Sequence, residues 1–381
     1  MFKVLYTGGS SGGHIFPLIA VHEIVKFISL ESKIDYDGFY VGSPGFLSNE
    51  LQISGLKVKK IKGGKIRNYF SISNFLDPFK VFYSFFESLV YLLLIMPDVV
   101  FSKGGEGAWV VSIVAKWYNI PILMHESDAI PGKANLLTSK ISTRIGLSFN
   151  ESAEYFKINK DKIALIGNPV RASILAGIND ESINKKSLNL DETIITLLVI
   201  GGSQGAVRLN DFILNNLKTL LREVQIIHQT GSNWYNEVVN EFEFLKSNLS
   251  DVQIKRYHPY PFLSTQNYRN ALKISDCIFS RASSGAIFEI AAFNKPSILY
   301  PLKESANDHQ RINAYAYART GAAIVMEEEN LLPSLFLDNL KKILYAKDVK
   351  NKMILAAKDF SRPRAAELLA KEIFELGKIL I

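Results

Sequence analysis

The sequence predicts an α/β fold built twice, as two doubly wound, Rossmann-like parallel-sheet domains, and three observations predict it. An apolar strand running into a glycine turn and then a helical pattern occurs twice, about half a chain apart. The first copy is Val4-Leu5-Tyr6-Thr7 before Gly8-Gly9-Ser10-Ser11-Gly12-Gly13; the second is Leu197-Leu198-Val199-Ile200 before Gly201-Gly202-Ser203-Gln204-Gly205. A second pair repeats with identical spacing: Asp98-Val99-Val100-Phe101-Ser102-Lys103 followed by Gly107-Ala108, against Asp276-Cys277-Ile278-Phe279-Ser280-Arg281 followed by Gly285-Ala286. Each of these is followed by an apolar helical pattern and a further strand, an alternation that makes parallel sheets with helices on both faces.

In chain order, the N-terminal strand enters its glycine turn without the long apolar stretch and cleavage site of a signal peptide. After Lys103 come a helix and the strand Ile120-Pro121-Ile122-Leu123-Met124, and Gly167-Asn168-Pro169-Val170-Arg171 closes the first domain, 1–172. A polar stretch through Asn179, Asp180, Glu181, Asn184, Lys185 and Lys186 predicts a linker over 173–190. The second domain follows over 191–361, with Lys295-Pro296-Ser297-Ile298-Leu299-Tyr300 as a strand. The last segment, 362–381, carries an amphipathic helix expected to pack back on the first domain. Ligands of open α/β sheets bind beyond the carboxyl ends of the strands, so the site is expected in a cleft between two facing sheets.

With 381 residues, 48% hydrophobic and 21% charged, the chain can bury a full core and has no disordered or low-complexity stretch. The lone Cys277 excludes an internal disulfide and a cysteine-cluster zinc site, which fits a reducing compartment. The apolar run 89–96, between Glu87 and Pro97, falls short of the ~20 residues that cross a bilayer, so no transmembrane span is expected. A net charge of +7 suits an anionic ligand, an anionic membrane face or nucleic acid, and does not choose among them. Residues 70–96 hold Phe70, Phe75, Phe79, Phe82, Tyr83, Phe85, Phe86 and Tyr91, preceded by Lys59, Lys60, Lys62, Lys65 and Arg67. Rings beside a basic strip predict contact with an anionic bilayer, with part of the stripe in the core.

His14 ends the first glycine loop at a helix N-terminus, where the helix dipole disfavours a positive ring; a neutral imidazole there suits a general base, against the alternative of a simple cap. The second loop lacks a Lys-Ser/Thr ending and is no Walker loop, yet its N–H groups and the Ser203 hydroxyl can hold a diphosphate. Ser283-Ser284-Gly285-Ala286 open a helix whose Glu289 can accept bonds from both ribose hydroxyls; the alternative is a solvated glutamate. Arg171 can reach a phosphate or be an ordinary linker arginine. Asn307-Asp308-His309-Gln310-Arg311-Ile312-Asn313 suits sugar hydroxyls, or is a helix start capped by Asn307 or Asp308. His125-Glu126-Ser127-Asp128 makes a poor metal site and suits an acceptor role better.

Taken together these motifs resemble the MurG family of bacterial GlcNAc transferases acting on a lipid-linked peptidoglycan precursor. The resemblance runs from Thr7 to about Ala323, through 8–14 with Ile15-Phe16-Pro17, Lys103-Gly104-Gly105, His125-Glu126, 167–171, 201–206, the Glu289 helix, and Gln310 with Asn313-Ala314. It implies a GT-B fold, UDP-GlcNAc held mainly by the C-terminal domain, an undecaprenyl-diphosphate-MurNAc-peptide held mainly by the N-terminal domain, and inversion with neither metal nor other cofactor. It also implies a peripheral enzyme on the cytoplasmic face of the plasma membrane, on its anionic inner leaflet, with no nucleic-acid partner. By position, Ser11, Gly12 and Gly13 approach the phosphates, and Arg171, Ser203 and Gln204 the donor diphosphate. Ser284, Gly285 and Ala286 meet the nucleotide, Glu289 the ribose and Gln310 the GlcNAc, while Gly104, Gly105, His125, Glu126 and Asp128 serve the acceptor. Ser10 replaces a usual glycine, Asp128 an asparagine, Glu106-Gly107-Ala108-Trp109 a glycine-rich continuation, and Ser283-Ser284 a Gly-Ala pair. The rival readings are a GT-B transferase glycosylating diacylglycerol, a UDP-GlcNAc 2-epimerase, and a non-catalytic nucleotide-binding membrane module.

Overall fold

The computed structural model describes residues 1–61, 73–105, 107–202 and 205–380, with backbone alone at 46, 73–80 and 306. The chain divides into two compact units, 1–172 with 362–381, and 173–361.

The first unit is built on seven described strands: β1 (Phe2–Thr7), β2 (Tyr36–Gly42), β3 (Lys57–Lys60), β4 (Val99–Ser102), β5 (Ile122–Glu126), β6 (Arg144–Leu147) and β7 (Ile163–Leu165). They pair in parallel in the order β3-β2-β1-β4-β5-β6-β7. The order reverses between β1 and β4, so their carboxyl ends flank the switch point at which ligands of such sheets sit. β4 and β5 are buried along their whole length, as strands covered by helices on both faces must be.

Helix α1 (Gly12–Glu31) follows β1. It is long and apolar enough to cross a membrane by length and composition, yet half of that window is buried. Ile15, Leu18, Val21 and Val25 pack in one core with Val4, Leu369, Ile373 and Phe374. α2 (Ser73–Ile95) and α3 (Ala108–Trp117) cover another face through Leu92, Ile95, Val111 and Val114. The chain returns at its end as a helix, Ala365–Leu376, whose Phe374 ring stacks on Phe2 at 5.1 Å.

The second unit repeats the plan with six described strands: β8 (Thr196–Ile200), β9 (Gln225–Gln229), β10 (Tyr257–Tyr260), β11 (Cys277–Ser280), β12 (Ser297–Leu299) and β13 (Ala323–Val325). Their order is β10-β9-β8-β11-β12-β13, all parallel, with the switch point between β8 and β11. The duplicated motif does the same backbone work in both units. Asp98 accepts from the Lys3 amide at 2.8 Å, and Asp276 accepts from the Thr196 amide at 3.0 Å. The Lys103 amide donates to Thr7 at 2.9 Å, and the Arg281 amide to Ile200 at 3.1 Å.

Residues 173–190 differ from the expected linker, since they belong to the second unit. Ile174, Leu188 and Leu190 are buried, the Lys273 ammonium donates to the Ile178 carbonyl, and Gly177 packs against the Arg269 side chain. The polar majority of that stretch hid the few apolar residues that anchor it.

Candidate active site

In the first unit, the segments singled out in the sequence gather at the carboxyl edge of the sheet. The chain leaves β1 through Gly8 and Gly9, and Ser11 precedes α1 in extended backbone, so that His14 lies in its first turn. Ser11 and Gly13 are exposed and His14 is half-buried. The Ser11 hydroxyl lies 2.9 Å from His14 Nδ1, a bond that orients the ring. The loop after β4 comes against this one: a Cβ on Gly105, at φ +88°, would stand 2.7 Å from the Gly9 Cα and 3.2 Å from the His14 ring. Only glycine fits both the left-handed backbone and that approach. Gly104 is pressed in the same way against Asn135. The imidazole therefore sits where the two glycine loops touch, at the switch point.

The strand β5 delivers His125 and Glu126, and both are buried. Lys103, only 1% exposed, donates from its ammonium to His125 Nδ1 at 2.6 Å and to the Ser127 hydroxyl. His125 is thereby the tautomer protonated at Nε2, which donates to the Gly167 carbonyl at 2.9 Å. Glu126 accepts from the Asp128 amide at 2.9 Å and the Asn135 side-chain amide at 2.7 Å. Burial lowers the Lys103 ammonium and raises the Glu126 carboxyl; burial, with Lys103 alongside, holds His125 far below the usual histidine range. His125 and Glu126 thus brace the turn, and the half-buried Ser127 and Asp128 are its outer residues. Sequence reasoning missed Lys103, Asn135 and Asn168 as members of this network. The available signal was Lys103 standing at the same place as Arg281 in the duplicated motif, a cation one residue beyond a switch-point strand.

Arg171 lies over the Phe16 ring, 4.5 Å from its centre, and its buried Nε has no hydrogen-bond partner. It belongs to the first unit, and the Phe16 ring that it covers is in α1, two residues beyond His14.

In the second unit, β8 runs into Gly201 and Gly202. Gly202 has φ +86°, and a Cβ there would meet nothing within 4 Å. Ser203 and Gln204 lie outside the described residues, as do Glu106, Lys62, Lys65, Arg67 and Phe70, and the side chains of Phe75 and Phe79. Across the switch point, β11 leads to α4 (Ser284–Ala292). Ser283 caps that helix by accepting from the Ala286 amide, the Ser284 hydroxyl is buried without a partner, and the space over Gly285 is open. A helix start with spare donors and no side chain above it is suited to an anion or a ribosyl phosphate. Glu289, on the same helix, is half-buried and accepts from the Tyr268 hydroxyl at 2.7 Å.

Gln310 lies in α5 (His309–Ala318) and accepts from the Leu302 amide at 3.0 Å, which ties it to the loop after β12. Asn307 and Asp308 precede the helix, and the Asp308 side chain does not cap it. Both have left-handed backbone, Asp308 pairs with Arg311, and the Gln310 amide donates to Ser305 at 3.2 Å.

Residues 4–147 match the glycosyltransferase family 28 N-terminal domain and 196–369 its C-terminal domain. Over 376 residues the chain is 33% identical to a Clostridium kluyveri protein named UDP-N-acetylglucosamine–N-acetylmuramyl-(pentapeptide) pyrophosphoryl-undecaprenol N-acetylglucosamine transferase, covering 97% of this chain and 99% of that one. A Treponema denticola protein of the same name is 35% identical over 354 residues, 91% of this chain and 89% of its own. Among solved structures, Acinetobacter baumannii MurG is similar at TM-score 0.73 and 21% identity, covering 98% of this chain and all 100% of its own. S. aureus MnaA with UDP is similar at TM-score 0.70 and 15% identity, over 100% of this chain and 98% of its own. These last two show the fold alone, of GT-B type. With both family domains matched in order and relatives a third identical over nearly the full length, the chain belongs to glycosyltransferase family 28 and, within it, to the MurG family.

Proposed function

We propose that this enzyme transfers GlcNAc from UDP-GlcNAc to the C4 hydroxyl of MurNAc in an undecaprenyl-diphosphate-MurNAc-peptide, with inversion. The observation that carries the mechanism is the position of His14 at the contact of the two glycine loops, oriented by Ser11. His14 takes the proton of the attacking hydroxyl as that oxygen displaces UDP from the anomeric carbon. The departing diphosphate gains charge, and the helix-start N–H groups of α4, the second glycine loop and Arg171 are the donors that stabilise it. Glu289 holds the ribose, Gln310 the GlcNAc, and Gly104, Gly105 and Asp128, in loops braced by His125 and Glu126, the acceptor.

The same reading places the first unit against anionic lipid. On α2, Phe82, Tyr83, Phe86, Val90, Leu93 and Leu94 are exposed at helical spacing, with Leu94 at 74%, and Trp117 at 67% joins them through its edge contact with Phe85 at 5.1 Å. Lys59 and Lys60 are exposed on β3. A helix face of this kind beside lysines supports a protein that rests on a bilayer where its lipid-linked substrate lies.

The test is UDP release from UDP-GlcNAc with and without the lipid-linked MurNAc acceptor. Release that depends on the acceptor supports the transferase. Release of free sugar without it favours a 2-epimerase, and transfer to diacylglycerol alone favours the other lipid glycosyltransferase.

A further inference from the structure

Lys103 places an ammonium in the interior, 1% exposed, where desolvation is costly and an apolar side chain of equal length fills the same space without that cost. Its ammonium donates to His125 Nδ1 at 2.6 Å and to the Ser127 hydroxyl, and more weakly to Asn168 Oδ1 at 3.5 Å, which Ser127 also reaches at 3.0 Å. Its backbone is committed to another segment. The Lys103 amide donates to Thr7 at the end of β1, and the next two residues are the glycines pressed on Asn135 and on Gly9 and His14. One residue thus spans the distance between the histidine loop and the turn that ends in Asp128. Glu126 and Asp128 supply the opposing negative charge.

We propose that Lys103 is a positioning residue for the lipid-linked acceptor, its buried ammonium registering the Ser127–Asp128 turn against the loop that carries His14. This rests on the transferase reading above. A lysine needed only for folding would, when replaced, lower the active fraction and therefore kcat, leaving KM alone. A lysine that sets acceptor geometry changes the KM of one substrate and spares the other.

The experiment compares wild type and Lys103→Met, each assayed for UDP release with the lipid-linked MurNAc acceptor and UDP-GlcNAc varied in turn. The expected result is an acceptor KM raised about tenfold, the worth of one charge-assisted hydrogen bond, with the UDP-GlcNAc KM within about twofold of wild type. Ser127→Ala, which removes one acceptor of the ammonium on a half-buried residue, is expected to raise the acceptor KM about threefold; it decides the matter if Lys103→Met gives no cooperative melt. An unchanged acceptor KM in folded Lys103→Met, or in Ser127→Ala if the first does not fold, overturns the proposal while leaving the transferase intact. A wild type that releases no UDP in response to the acceptor overturns the transferase reading, and this proposal with it.

Discussion

His14 is a half-buried ring at the start of α1 with its Nδ1 bonded to Ser11, and its proposed work is proton removal. His14→Ala is expected to reduce kcat roughly a hundred- to ten-thousandfold, the range for a lost general base, while UDP affinity by calorimetry stays near wild type. A kcat that survives the substitution would remove His14 from the chemistry. Glu289 offers a cleaner substitution than alanine, since Glu289→Gln keeps an oxygen for the Tyr268 hydroxyl. The variant is expected to raise the UDP-GlcNAc KM about tenfold with the acceptor KM unchanged, and an unaltered donor KM would count against a ribose contact. At this scale the position of His14, at the end of a glycine loop and the start of a helix, was readable in the sequence. The orientation of His125 and Glu126 was not. Their motif was visible, but a strand covered on both faces has no polar alternation to show that these side chains turn inward to Lys103 and Asn135.

The strand, glycine turn and helix pattern was legible as an element because each piece carries its own signal: an apolar run, a cluster of glycines, and a change of period. The repeat of Asp98 as Asp276 was legible too, and each carboxylate binds the amide at the start of the neighbouring strand. Caps were harder to read. Ser305, not Asn307 or Asp308, receives the Gln310 amide, because the chain turns through left-handed backbone just before α5. For α2, spacing alone could not divide core from surface. Leu92 and Ile95 face inward, while Phe82, Phe86, Leu93 and Leu94 face out. Two carboxylates on the outer face, Phe82→Glu with Leu93→Glu, are expected to reduce co-sedimentation with anionic vesicles at least about fivefold, without moving the melting temperature. Binding equal to wild type would take the lipid contact away from this helix.

Among the described residues three histidines are buried, and burial holds each below the usual histidine range. His22 is bonded to Tyr36 and to the Ser54 carbonyl, and burial pushes it down to about 4. His228 is bonded to Tyr257 and Asn210, and burial pushes it down to about 3. His125 is lowered by burial as well. In the unfolded chain each titrates near the ordinary value of about 6.5. Below that pH the unfolded state takes up protons that the folded state refuses, so stability is full above about 6.5 and falls as pH drops toward 4. Each histidine contributes a slope of about 1.4 kcal/mol per pH unit. Thermal melts at pH 7 and pH 5 are expected to show a clear fall, and a melting temperature flat across that interval would contradict the buried neutral assignment.

The duplicated two-unit plan and the assignment of both switch points carry the functional reading as a whole, and its central claim is transfer to a lipid-linked sugar. Radiolabelled UDP-GlcNAc incubated with the enzyme and the undecaprenyl-diphosphate-MurNAc-peptide tests it most directly. The account predicts label in the lipid fraction, joined to the MurNAc C4 oxygen with the opposite anomeric configuration, and one UDP released per sugar moved. Label that stays water-soluble as a free sugar, or a lipid product with retained configuration, would contradict it.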